Sequence, residues 1–167
     1  SRQLHFDTVC RSAKIAVHAQ PAEGFGMVWE LFAGQHGWTD AMVAMGFGAL
    51  TPVEMADDEQ FDLGDYYFVE KCLLILGVGR IQVLHSGTPC NTFSEAVTAA
   101  IRSAEHPEGL PSLSYFDAHK VKRGNHLCCM AVLLLSCGTA QGALASNENP
   151  KNSFQWLYGP MLDLCNN

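Results

Sequence analysis

The apolar positions along the chain change period repeatedly, and each change predicts an element. Residues 27–33, Met-Val-Trp-Glu-Leu-Phe-Ala, are a short apolar run that stops at Gly34, the pattern of a buried strand. Gly34-Gln35-His36-Gly37 then reads as a turn. Over 38–45 the apolar residues Trp38, Ala41, Met42 and Met45 share one helical face, and Gly46 is a natural stop. Residues 49–53 predict a second strand, followed by the acidic Glu54, Asp57, Asp58 and Glu59. Residues 61–65 read as a loop or very short strand, and 66–76 as a helix ended by Gly77 and Gly79. The clearest strand is 81–85, running straight into Ser86-Gly87-Thr88-Pro89-Cys90. Residues 91–120, rich in Ser, Pro, Gly and His, form a long excursion with a short helical stretch near 94–103. A helix over 121–137, a strand over 142–146 and a closing helix over 154–164 complete the reading. Residues 1–26 are an irregular or short helical lead-in. Strands alternating with helices predict one α/β domain over 27–167 with a mainly parallel sheet. Ligands of such sheets bind beyond the carboxyl ends of the strands. Three segments follow predicted strands and are expected to meet there: Gly34 to Gly37, Pro89-Cys90 and Glu148-Asn149.

Composition narrows the function classes. Hydrophobic residues are 48% and charged residues 16%, which excludes an intrinsically disordered chain. No apolar run reaches the roughly 20 residues of a membrane-spanning helix, so no membrane partner is expected. Ten Lys and Arg against seventeen Asp and Glu leave a net charge of -7. That balance opposes nucleic-acid binding by this chain alone. Lys120, Lys122 and Arg123 are the one dense basic cluster. The seven Cys are odd in number and without metal-ligand spacing, so no metal site is expected. They point to a reducing intracellular compartment, the nucleus or a bacterial cytoplasm.

Two segments carry candidate chemistry. A strand, Gly-x-x-Gly and a helix form a nucleotide-binding arrangement, because small residues admit a ligand to free backbone N–H groups. The dinucleotide fingerprint is absent. Glu54 follows the next strand, 20 residues after Gly34, where a carboxylate can take ribose hydroxyls. In Gly87-Thr88-Pro89-Cys90-Asn91-Thr92-Phe93-Ser94, Pro89 stiffens the loop, and a Cys at a strand end is a candidate nucleophile.

Together these segments resemble the cytosine carbon-5 DNA methyltransferases. Glu30 to Gly37, continued by Ala41, Gly46 and Phe47, is similar to the family's first motif, a strand ending in Phe-Ala-Gly. Pro89-Cys90-Asn91-Thr92-Phe93-Ser94 is similar to its catalytic loop Pro-Cys-Gln-x-Phe-Ser, and Glu148-Asn149 to its Glu-Asn-Val. The resemblance covers about residues 27–160. It implies a Rossmann-like methyltransferase fold and S-adenosylmethionine as cofactor. It implies that Cys90 attacks carbon 6 of cytosine while Glu148 holds the ring. Phe32 would pack on adenine, and Ala33, Gly34 and Gly37 would hold the methionine part. Glu54 would take the ribose, Asp62 or Asp65 the adenine amino group, and Pro89 would line the cofactor site. Asn91, Ser94 and Asn149 would meet the substrate, a cytosine turned out of DNA. The sequence departs from the pattern at His36 (family glycine), Asn91 (Gln) and Pro150 (Val). The stretch between Cys90 and Glu148 is longer than usual. Nineteen residues follow Glu148 (167 minus 148), so the family's last strands, Arg-containing motif and target-recognition region are expected to be missing. An open sheet edge would then invite a protein partner or a dimer. The alternative reading is a non-catalytic remnant, a cofactor-binding or interaction module that keeps the fold. An adenine amino-methyltransferase ranks lower, because Thr88-Pro89-Cys90-Asn91 lacks that group's second Pro and aromatic residue.

Overall fold

The computed structural model describes residues 2–94 and 100–166. Their elements alternate as the sequence pattern predicts, around a five-stranded sheet of order β1-β3-β2-β4-β5. The strands are β1 (Val17–Ala19), β2 (Met27–Leu31), β3 (Gly48–Leu50), β4 (Ile81–Ser86) and β5 (Leu144–Asn147). Four of them, β3, β2, β4 and β5, are parallel; β1 closes the β3 edge antiparallel, with a register shift. The helices are α1 (Arg2–Ser12), α2 (Gly37–Ala44), α3 (Tyr66–Gly77), α4 (Tyr115–Ala140) and α5 (Gly159–Asn166).

Strand alternation sends side chains to opposite faces. Trp29, Leu31 and Leu84 join Phe6 of α1, Phe68 and Ile75 of α3 and Leu134 of α4 in one buried cluster. The other face is polar at its carboxyl end, where Glu30 and His85 lie in register and meet α2. One face therefore carries the packing energy, and the other positions polar groups.

Several boundaries differ from the sequence pattern. The lead-in folds as α1 and β1, and α1 buries Phe6, Val9 and Cys10. β2 ends at Leu31 because Phe32 turns into the left-handed region, with φ 53°. α4 begins six residues before the predicted start at 121, because the Ser114 hydroxyl caps it by accepting from Asp117 N. The predicted closing helix splits into a 3-10 turn at Phe154–Leu157 and α5. Of the helical stretch expected near 94–103, residues 94 and 100–103 are not helical, and 95–99 lie outside the described residues. Among the described residues no helix is long and apolar enough to cross a membrane.

Leu134 is fully buried where α4 meets the sheet. Leu134→Ala should cost about 2–5 kcal/mol of unfolding free energy, read by chemical denaturation.

Candidate functional site

The site lies where β2, β4 and β5 end. Its first wall is the turn from β2 to α2. Glu30, 4% exposed, accepts from Thr39 N at 2.9 Å and from Thr39 Oγ1 at 2.5 Å. The carboxylate thus satisfies one of the free N–H groups at the start of α2. The chain between them reverses through three left-handed residues: Phe32 (φ 53°), Gly34 (φ 52°) and His36 (φ 59°). Gly34 suits this conformation; Phe32 and His36 are strained in it. His36 is held by Asp57, with Nε2 to Oδ2 at 2.6 Å. A Cβ added at Gly34 or Gly37 would meet nothing within 4 Å, so the backbone there is open to a ligand. Gly34 N donates to Glu54 Oε2 at 2.9 Å, and Ala56 N donates to Glu54 Oε1 at 3.2 Å. Ala33 is buried, with its N–H donating to Val53 O.

Phe32, Glu54, Asp62 and Pro89 line one cavity of about 90 Å³, together with Met55, Leu63, Arg123 and Leu127. Four residues chosen from separate segments thus converge. Asp62 and Asp65 separate clearly. Asp62 lines the cavity, its Oδ1 accepting from Gly64 N at 2.8 Å. Asp65 is exposed and caps α3 by accepting from Tyr67 N at 3.0 Å. Arg123 from α4 lines the same cavity, 3.7 Å from Asp62.

The second wall is the loop after β4. Thr88 Oγ1 donates to Asn147 Oδ1 at 2.7 Å. A hydroxyl has one proton, so the Ser86 hydroxyl donates to Thr88 Oγ1 across 2.8 Å. Asn149 Nδ2 donates to Thr88 O at 2.8 Å. This ladder ties the strand end that leads into Pro89-Cys90 to the segment that carries Glu148. Cys90 is half-buried, and its carbonyl accepts from Phe93 N and Ser94 N, both at 2.9 Å. Asn91 is exposed and Ser94 half-buried. Glu148 is exposed, its N–H donating to Ser86 O at 2.9 Å. Asn147 Nδ2 and Asn149 Oδ1 are buried with no partner among the described residues, one donor and one acceptor on either side of Glu148.

Sequence reasoning missed the third wall. His85 is buried under Trp38, ring centroids 4.7 Å apart, and its Nδ1 lies 2.8 Å from Ser146 Oγ. Burial is the largest influence on the imidazole and lowers its pKa from 6.5; Glu30 and Glu148 pull it back up. An apolar alternation in 81–85 points to a strand but not to what would cover its last residue. Arg102 also carried no motif that could announce it, and Arg123 stood out only as part of the basic cluster with Lys120 and Lys122.

The sequence matches no protein-family model, no curated protein and no solved structure.

Gly87, unlike Gly34 and Gly37, has no room for a side chain. A Cβ at Gly87 would stand 2.8 Å from Phe32 O, a backbone atom, so Gly87→Ala should displace the β2 turn and loosen the cavity. Because His85 resists protonation in the fold, the unfolded chain binds more protons below its ordinary pKa, and stability is lost as pH falls through about 6.5. Unfolding free energy measured from pH 7 to pH 5 should therefore fall less steeply in His85→Gln than in wild type.

Proposed function

We propose that the chain is a DNA cytosine-5 methyltransferase-like domain that binds S-adenosylmethionine. The observation that carries this reading is the convergence of Phe32, Glu54, Asp62 and Pro89 on one cavity beside the Cys90 loop. The donor set suits an adenosyl group: an aromatic face in Phe32, a carboxylate for the ribose hydroxyls in Glu54 and an acceptor for the amino group in Asp62. The open backbone at Gly34 and Gly37 suits the methionine part. The cavity alone falls short of the roughly 300 Å³ of a small-molecule site, so Arg123 and Met55, both exposed, must swing aside.

When bound, S-adenosylmethionine supplies an electrophilic methyl group. The protein's own part is to attack and to hold. The Cys90 thiolate bonds to carbon 6 of a cytosine, and the ring's electrons shift to carbon 5, which takes the methyl. Glu148 holds the ring edge and stabilises the charge that develops there. Loss of the carbon-5 proton then expels the thiolate and restores the ring.

A second reading has its own support. Asp62 already faces Arg123, and Glu54 already accepts two backbone N–H groups. The β5 edge is open, with Leu144 73% exposed. These features suit a non-catalytic cofactor-binding or interaction module, with a protein partner or second copy along β5.

DNA carrying 5-fluorocytosine has no carbon-5 proton to lose, so the adduct cannot break down. With S-adenosylmethionine present, wild type should form a denaturation-resistant DNA adduct and Cys90→Ser should form none. Equal behaviour of the two would falsify catalysis by Cys90. Calorimetry separates the second reading: heat of S-adenosylmethionine binding that weakens in Gly34→Val, without any adduct, identifies a binding module.

A further inference from the structure

Arg102 is 2% exposed, in a chain with few buried charges. A guanidinium carries five N–H donors in a planar fork, and here each one has an acceptor. Nε donates to Thr92 O at 2.8 Å. Nη1 donates to Asn125 Oδ1 at 2.7 Å and to Pro107 O. Nη2 donates to Thr92 Oγ1 at 3.0 Å and to Val121 O at 3.3 Å. The group also lies over the Phe93 ring, 3.8 Å from its centroid. All five acceptors are neutral oxygens. Burial lowers the guanidinium to about 10, which leaves it a cation at neutral pH.

Three of these contacts, Thr92 O, Thr92 Oγ1 and the Phe93 ring, belong to the turn that begins at Cys90. Two others belong to α4. The helix makes room for the junction at Gly124, where a Cβ would stand 2.2 Å from Thr92 Oγ1 and 3.1 Å from Arg102 Nη2. Burying a cation costs more than burying an apolar side chain, and the fork geometry cannot be met by Lys. Simple packing of the turn on α4 needs no charge.

We propose that Arg102 is the positioning residue of the Cys90 loop: its guanidinium fixes Thr92 and Phe93 on α4 and so holds the turn that begins at Cys90 in place. This rests on the reading of Cys90 as nucleophile, and the assay separates the two. Alkylation of each cysteine by iodoacetamide is followed by mass spectrometry of the native chain, with exposed Cys165 as the internal reference. In wild type Cys90 should react faster than Cys165. If it does not, the nucleophile reading falls, and the positioning role with it.

In Arg102→Ala, with circular dichroism and melting checked, Cys90 should slow by about tenfold while Cys165 is unchanged. Guanidinium at concentrations too low to denature should fill the space left behind and restore the rate. Urea, its neutral isostere, should not. An unchanged rate at Cys90, or equal restoration by urea, overturns the positioning role and leaves Cys90 as a nucleophile. Should Arg102→Ala not fold, Arg102→Lys carries the test. It keeps the charge but loses the fork, and Cys90 should still slow; a wild-type rate there overturns the proposal.

Discussion

The carboxylate of Glu30 is the point on which the site depends. It stands at the end of a central strand, below the surface, and takes both the N–H and the hydroxyl of Thr39. Two hydrogen bonds to one oxygen pin the first turn of α2 directly over β2. The five intervening residues must then reverse within a fixed span, which forces Phe32 and His36 into a conformation that costs side-chain-bearing residues energy. What the strain accomplishes is local and visible. Phe32 is turned out of the strand's alternation and into the cavity, and the Gly34 N–H is turned toward Glu54. A relaxed connection would continue the strand and bury Phe32 in the sheet.

The two faces of the sheet divide the work. The face under α1, α3 and α4 is apolar and carries most of the buried side chains. The opposite face is served by α2, whose eight residues bury Thr39 alone. Polar contacts replace packing there: Glu30 with Thr39, His85 with Trp38 and Ser146. A weakly packed face at the carboxyl ends of parallel strands leaves room for side chains to move, which a ligand site needs and a core does not.

How much of this the sequence disclosed depends on the range of each interaction. Strand and helix periods are local, so β2, α3, β4 and most of α4 were legible from apolar spacing. The rule that ligands sit at strand ends pointed to the turn after β2 and the Pro89-Cys90 loop, whereas the grouping of Phe32, Glu54, Asp62 and Pro89 came from the resemblance to the methyltransferases. The choice between Asp62 and Asp65 did not, because it turns on which carboxylate α3 uses as its cap. The early start of α4 was hidden because its first turn exposes Tyr115 and Phe116 and buries neither, so it adds nothing to the apolar stripe, while Ser114 and Asp117 supply the cap. Arg102 was least legible of all. Its partners lie between 5 and 23 residues away, and backbone carbonyls have no sequence signature.

The β5 edge affects the protein as a solute. The strand Leu144-Ala145-Ser146-Asn147 has neither a charge nor a proline to discourage pairing, whereas β1 at the other end of the sheet is short and shifted in register. Copies of the chain repel one another through a net charge of -7, a force that reaches only about 10 Å in dilute salt and less as salt is added. Strand pairing acts at about 4.8 Å and through neutral amides. Ionic strength therefore removes the barrier to approach and leaves the attraction intact, so colloidal stability rests on the long-range charge alone and not on the shape of the edge.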